Sequence, residues 1–309
     1  MCDPDAQAKI RNCLPSNLNQ FTQLYVSDAS AKADHLQRSL HHVYKDSVLK
    51  RLLEKTESSL FRAHLLSLSN PGAMRWACLD LRRPEYRLSN QTFNNCVRNA
   101  LGMQPSQAIS ADPHAKCCCG FLLRLDPWHF YACPKFRRLT GNVRHEDVTD
   151  ELQDSGNRAG FITEREHIFT NGKRADVSLL DPFTDALTHL DVSVALPSAE
   201  SHRAAAARIP LSAANARVHA KETKYADLCR KEGAYFAPFI IESTGAMSKP
   251  ALQMISRIAD QSAATNPYNP DTAERLSNRV AIALHNGNAK IVQQGLARSA
   301  QAFRPHAGR

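Results

Sequence analysis

The sequence predicts an α/β protein of the α+β type, in which a helical N-terminal region and a small cysteine-rich segment precede a mixed sheet flanked by helices. Three observations predict this fold class: helical spacing of apolar residues near the N-terminus, four cysteines clustered in a segment of little periodicity, and short strand-like runs that alternate with helical stretches afterwards. The predicted segments are residues 1–104, 105–140, 141–265 and 266–309, the last a helix with a basic tail.

The N-terminal region is expected to be mostly helical. Apolar residues recur at helical spacing from Ser30 to Leu68, and Asn70-Pro71-Gly72 is a strong breaker. A further helix is expected from Ser89 to Leu101, with Ser89 or Asn90 as its cap and Gly102 at its end.

The second half alternates between strand and helix patterns. Strands are predicted at Phe161–Phe169, Arg174–Leu180, Leu187–Leu196 and Tyr235–Glu242, with turns at Thr170-Asn171-Gly172 and Asp181-Pro182. Helices are predicted at Arg144–Leu152, Ser212–Lys231, Lys249–Ala264 and Asp271 to about Ala300, the last with an interruption near Asn286-Gly287.

Composition narrows the class of protein. The chain contains no run of about 18 apolar residues, and its first residues lack the apolar core of a secretory signal, so an intracellular protein without a membrane span is expected. The net charge of +9, with 13 histidines besides, favours a polyanionic partner, above all nucleic acid.

The cysteines predict a metal site rather than disulfide bonds. Nine cysteines form an odd set, and four of them fall between residues 117 and 133. Cys117, Cys119, His129 and Cys133 offer four soft or borderline donors, which is the ligand set of a structural Zn²⁺. Cys118 is able to replace either neighbour as a ligand.

Two acidic residues occupy matching positions in predicted strands. Asp176 and Asp191 each lie opposite the apolar row of their strand, and the strands are close enough in sequence to form a hairpin. Because aspartate is depleted in strands, two at equivalent positions suggest a shared divalent cation, Mg²⁺ or Mn²⁺, although ordinary half-exposed positions are the alternative.

A basic helical face follows these acids. Lys221, Lys224 and Tyr225 stand at i, i+3 and i+4, so they share one side of the predicted helix. This face can direct an ammonium at a metal centre or a phosphate, or it can simply be solvated.

The ordered set of motifs resembles a known arrangement. The set comprises Cys117-x-Cys119-Gly120, Asp126-Pro-x-His129-x3-Cys133, Arg144-His145, Arg174-x-Asp176, Asp191-x-x-Val194 and Lys221-x2-Lys224-Tyr225. It resembles the C-terminal part of non-LTR (LINE-type) retrotransposon polyproteins, where a CCHC zinc knuckle precedes a restriction-like endonuclease of the PD-(D/E)xK superfamily. The resemblance covers roughly residues 73–250.

The resemblance implies roles for individual residues. Asp176 and Asp191 would be the two acids that hold Mg²⁺ or Mn²⁺, with Glu166 as a looser match to an additional catalytic acid. Lys221 and Lys224 would belong to the downstream lysine-rich helix. The nucleic-acid contacts would come from Arg144, His145, Arg174 and Tyr225.

The chain departs from the family pattern at two positions. Ala175 replaces the proline before the first acid, and Ser193 replaces the lysine of the D-x-K strand. A catalytic lysine would therefore come from the helix, as Lys221 or Lys224. A reverse transcriptase is not expected, because no Tyr-x-Asp-Asp motif is present.

The resemblance implies a Mg²⁺-dependent DNA endonuclease with a structural Zn²⁺ and no small-molecule cofactor. Its partner would be DNA, with RNA as a further option, and its location nuclear or nucleocytoplasmic. Two alternatives stay open: a nucleic-acid-binding protein with a degenerate nuclease fold, and a zinc-stabilised interaction protein without a nucleic-acid role.

Overall fold

The computed structural model describes residues 46–80, 82–136 and 143–302. The chain divides into two compact units, residues 1–55 and 56–309. In the first unit the described residues, 46–55, are helical. The helix predicted over residues 30–45 lies outside the described residues.

The second unit has the predicted α+β fold. Its α-helices are α1 (Ser59–Leu68), α2 (Asn90–Ala100), α3 (Gln107–Ala111), α4 (Val143–Arg158), α5 (Glu200–Ala206), α6 (Ser212–Lys231), α7 (Lys249–Thr265) and α8 (Ala273–Ala302). Its strands are β1 (Ile162–Arg165), β2 (Val177–Asp181), β3 (Ala186–Ala195) and β4 (Tyr235–Glu242). None of the helices within the described residues has the length and apolarity needed to cross a membrane.

The four strands form one mixed sheet in the order β1-β2-β3-β4. β1, β2 and β3 are an antiparallel meander, and β4 runs parallel to β3 after the crossover through α5 and α6. The β2–β3 hairpin is closed by Asp181, whose carboxylate accepts hydrogen bonds from the Phe183 N–H and the Thr184 hydroxyl at 2.9 and 2.7 Å. This side-chain turn fixes the register in which Val177 pairs with Leu190.

The sheet lies between two layers of helices. On one face, strand residues such as Leu179, Leu190 and Val192 pack against α4, α7 and α8 in the largest hydrophobic core. On the other face, α6 covers the sheet through small buried residues, including Ala213 beside Ile240. Alternation along β3 therefore sends its apolar row into the main core and its polar row towards α6.

Helix boundaries agree closely with the sequence where capping signals are strong. Ser89 caps α2, its hydroxyl accepting the Thr92 N–H at 3.0 Å, and α6 has the predicted bounds. Two differences stand out. Residues 56–58 are not helical, so the predicted stretch up to Leu68 is broken, and α4 extends six residues beyond Leu152.

The predicted interruption of the last helix near Gly287 is wrong. α8 runs without a break through this glycine. A Cβ placed on Gly287 would lie 2.8 Å from the Cα of Arg144 in α4, so the missing side chain allows two helices to approach closely. The glycine reflects helix packing rather than a helix end.

Replacing Gly287 by Ala is expected to destabilise the fold. Alanine gains about 0.5–1 kcal/mol of intrinsic helix preference, but the clash with the α4 backbone costs about 1–3 kcal/mol. Chemical denaturation followed by circular dichroism measures the difference. Gln294→Ala, at an exposed position of the same helix, is the control and should change the free energy of unfolding by less than about 0.5 kcal/mol. A stabilised Gly287→Ala variant would contradict the close approach.

Candidate functional site

The cysteine-rich segment brings four donor atoms together. The donor atoms of Cys117, Cys119, His129 and Cys133 all lie within 4.8 Å of one another. The Cys117 and Cys133 sulfurs are 3.5 Å apart, and the Cys119 sulfur lies 3.2 Å from His129 Nε2. A tetrahedral Zn²⁺ with Zn–S bonds of about 2.3 Å has S···S edges of roughly 3.7 Å, so the donor set fits zinc.

Local backbone geometry holds these donors. The Cys117 N–H donates to the Phe121 carbonyl at 2.8 Å, and the Gly120 N–H donates to the Cys117 carbonyl at 2.7 Å. Gly120 adopts a positive φ of 92°, which glycine accommodates without steric cost. The ring of Phe121 stacks on His129 at 4.2 Å, which fixes the plane of the imidazole.

Cys118 lies outside the cluster. Its carbonyl accepts a hydrogen bond from the Lys135 ammonium at 2.9 Å, whereas its sulfur is not within the group of donors that converge. The turn centred on residues 117–120 directs the two flanking cysteines to the same point and the middle one away. The ambiguity among three adjacent cysteines is thereby resolved.

Burial favours the uncharged forms of these donors when no cation is bound. Burial lowers the pKa of His129 to about 4, so its imidazole is neutral and able to bind a metal. Burial also raises the pKa values of the Cys117 and Cys133 thiols. A divalent cation would supply the charge that stabilises their thiolates, which is why this donor set can hold a metal such as zinc.

The metal cluster is built into the rest of the fold through α8. Ile291 and Val292 of this helix pack in the same small core as Cys117, Cys133 and Phe130. The helix thus contributes to the main core through its first half and to the metal cluster through its second half.

The structure brings Asp176 and Asp191 to adjacent strands. Asp176 precedes Val177 and Asp191 follows Leu190, and Val177 pairs with Leu190, so the two acids stand one step beyond this pair. Both lie on the face opposite the main apolar core, as the sequence predicts. Their charges interact, because Asp176 contributes to the raised pKa of Asp191.

Asp176 is held by two groups. Its Oδ2 accepts a hydrogen bond from the Val192 N–H at 2.6 Å, and its Oδ1 lies 3.3 Å from His145 Nε2. Burial opposes protonation of His145, but the hydrogen bond and charge of Asp176 outweigh it and raise the pKa of this histidine. His145, predicted to contact nucleic acid, is thus a partner of the first acid.

Asp191 forms an ion pair with Lys221. The Lys221 ammonium on α6 contacts Asp191 Oδ2, and Asp191 is only 3% exposed. Burial and the charge of Asp176 raise the pKa of Asp191, while Lys221 opposes the shift. The helical face predicted from the sequence therefore points at the second acid.

Lys224 and Tyr225 lie beside this pair. The Lys224 ammonium donates to the Tyr225 hydroxyl at 2.6 Å, and that hydroxyl donates to the Arg174 carbonyl at 2.8 Å. Tyr225 is 2% exposed and packs among Phe169 and Ala175. Its position is that of a buried support for the site rather than a surface contact.

Other predicted site residues lie elsewhere. Glu166 follows β1 at a positive φ of 53°, and its exposed carboxylate pairs with Arg174 at 3.0 Å.

Arg144 is buried, donates to Asn288 at 3.2 Å and stacks over the Tyr131 ring. Burial lowers its pKa to about 10. Arg144 therefore ties α4 to α8.

A polar cleft of about 350 Å³ adjoins the acids. Its lining includes His145, Ser193 and Arg217. Arg217 of α6 donates to the Ser193 hydroxyl at 3.3 Å, so a guanidinium faces the strand position where the resemblance places a lysine. The sequence reasoning did not identify Arg217, although its spacing of four residues before Lys221 puts both on one face of α6.

No protein-family model matches this chain, and a search of curated proteins returns no significant match.

Proposed function

We propose that this protein is a metal-dependent DNA endonuclease whose sheet domain is of the PD-(D/E)xK type. The observation that carries the proposal is the contact between Lys221 and Asp191. It places an ammonium from α6 at the acidic pair, and so compensates for Ser193 at the usual lysine position.

Each residue of the site has a chemical role in phosphodiester hydrolysis. Asp176 and Asp191 would hold Mg²⁺ or Mn²⁺, which supplies Lewis acidity and lowers the pKa of a bound water. His145 and the Val192 N–H orient the Asp176 carboxylate. Lys221 opposes the burial-driven rise in the pKa of Asp191 and would present positive charge where negative charge develops on the phosphate. Lys224 contacts the Tyr225 hydroxyl, which in turn holds the segment before β2 through the Arg174 carbonyl.

The surroundings of the acids suit a polyanion. Arg217 and His145 border the cleft beside Ser193, and the whole chain carries a net charge of +9. Phosphate contacts of this kind position a duplex without reading its sequence. The zinc knuckle, Cys117 to Cys133, would provide a second contact. A DNA substrate implies a nuclear or nucleocytoplasmic location.

Replacing Lys221 by Ala is expected to reduce nicking of supercoiled plasmid by on the order of 10²-fold in Mg²⁺ or Mn²⁺. The reason is that the variant removes the ammonium closest to the acids. Initial rates of conversion to open-circular DNA measure the loss. Lys224→Ala should cost less, because its ammonium contacts the Tyr225 hydroxyl rather than an acid.

Lys231→Ala is the matched control, since Lys231 is exposed at the end of the same helix. It should keep the wild-type rate. A Lys221→Ala variant that nicks as fast as this control would remove the observation on which the proposal depends.

The absence of a lysine at position 193 also favours a second candidate, a nucleic-acid-binding protein without activity. Gel-shift titrations across salt concentration separate the candidates when they are run beside the nicking assay. Binding that weakens steeply with salt, without nicking in any metal, would favour the binding protein. A lack of binding even at low salt would favour an interaction protein stabilised by zinc.

A further inference from the structure

A second group of potential metal ligands lies on the side of the sheet covered by α6, separate from the cluster of Cys117, Cys119, His129 and Cys133. It comprises His167, after β1, His189 in β3, and Glu232, which follows α6. One potential ligand atom from each residue falls within 4.8 Å of the others. His167 Nε2 is 2.9 Å and His189 Nε2 is 3.6 Å from the same Glu232 oxygen, Oε2.

The remaining nitrogen of each histidine is already engaged. His189 Nδ1 is 2.8 Å from the Ser178 hydroxyl, and His167 Nδ1 is 3.2 Å from the Glu164 carboxylate. Metal-binding histidines in proteins have this arrangement, in which a hydrogen bond to one nitrogen orients the ring and leaves the other for the ion. Both Nε2 atoms are therefore directed to one point.

The environment of His189 strengthens this interpretation. Its side chain is fully buried, and Nε2 makes no hydrogen bond of normal length, because Glu232 Oε2 lies 3.6 Å away. A buried polar nitrogen without a close hydrogen-bond partner destabilises the fold unless a ligand satisfies it.

We propose that His167, His189 and Glu232 form a second metal site, which binds a divalent transition ion such as Zn²⁺. Two imidazoles and one carboxylate suit zinc and its neighbours, whereas Mg²⁺ and Ca²⁺ prefer oxygen ligands alone. Three protein ligands leave a coordination position for water. Glu232 and His167 are partly exposed, with side chains 28% and 23% accessible, so an ion can reach the site from solvent.

An ion here would join three segments that are distant in sequence. It would attach the C-terminal end of α6 to β3 and to the segment after β1. Because α6 also carries Lys221, the site would fix the helix relative to the acids. The proposal concerns metal binding and does not depend on nuclease activity.

The experiment is a titration of metal-free protein with Co²⁺ and with Zn²⁺ in excess Mg²⁺, which occupies sites made of carboxylates alone. Wild-type protein should bind two equivalents of either ion. The cysteine site should give thiolate-to-cobalt charge transfer in the near ultraviolet, and the second equivalent should add only weak visible bands. Bound zinc is counted by elemental analysis after gel filtration.

His167→Ala and Glu232→Gln should each lose the second equivalent, or weaken its dissociation constant by at least about tenfold. Neither residue is fully buried, so both variants should fold, which circular dichroism checks. His219→Ala is the matched control, because this histidine is exposed on α6 away from the cluster, and it should still bind two equivalents. One equivalent in wild type, or two in His167→Ala, would overturn the proposal and leave a hydrogen-bonded cluster without a metal.

Discussion

Replacing Asp191 by Asn is expected to reduce plasmid nicking by on the order of 10³-fold, which corresponds to about 4 kcal/mol of transition-state stabilisation. The substitution preserves shape but removes the negative charge that would hold Mg²⁺ or Mn²⁺ together with Asp176. It also leaves the Lys221 ammonium without its carboxylate. Asp176→Asn should have an effect of similar size, because the two acids would share one ion.

The measurement is the initial nicking rate at saturating Mg²⁺, together with duplex binding by gel shift. Binding should persist in both variants, since the proposed phosphate contacts would come from other side chains. Asp185→Asn is the matched control: it makes the same charge change in the β2–β3 hairpin, at an exposed residue with a positive φ that asparagine tolerates. Nicking that survives in both Asp176→Asn and Asp191→Asn would place the catalytic centre elsewhere.

Replacing Cys133 by Ser is expected to abolish zinc binding by the Cys117, Cys119, His129 and Cys133 cluster, and to destabilise the core around it. Zinc at about 1,000 times its dissociation constant contributes roughly 4 kcal/mol to folding. At roughly 2–4 °C per kcal/mol for a domain of about 150–250 residues, the melting temperature should fall by roughly 8–16 °C. Chelation of the wild-type protein should reproduce most of this decrease.

Cys118→Ser provides the control for this variant. It makes the same chemical change within the same run of cysteines, at a sulfur outside the cluster. Its zinc content should equal that of wild type, and its free energy of unfolding should change by less than about 0.5 kcal/mol. If Cys118→Ser lost zinc while Cys133→Ser retained it, the ligand set would have to be reassigned.

Local patterns predicted much of the fold. The bounds of α6 and the cap of α2 follow from signals within a few residues. Strand limits were less accurate: β1 ends before Glu166, which adopts a positive φ, and β2 begins after Asp176. Gly287 allows α8 to approach α4 at Arg144, which is 143 residues earlier in the sequence. The sequence of α8 alone could not predict this contact, and it indicates a helix break near the glycine instead.

In the candidate site, too, local sequence signals predicted some features, whereas others depend on contacts between distant segments. Helical periodicity placed Lys221, Lys224 and Tyr225 on one face of a helix but left open whether that face meets the acids or solvent. Strand periodicity predicted that Asp176 and Asp191 lie opposite the apolar rows of their strands. Periodicity was not sufficient to distinguish Cys118 from its neighbours, because the backbone turn decides which sulfurs converge. The cluster of His167, His189 and Glu232 joins three segments that are distant in sequence, so no short sequence motif predicts it.

Helix α8 has a consequence for where a strand would be cut. It comprises 30 residues, or about 45 Å of helix, and its two halves belong to the core behind the acids and to the core of the zinc knuckle. Because one continuous helix joins these two cores, the distance between the acids and the knuckle should stay constant. A duplex bound by the knuckle and by the acidic site would therefore be cut at a fixed number of base pairs from the knuckle contact, independent of base sequence.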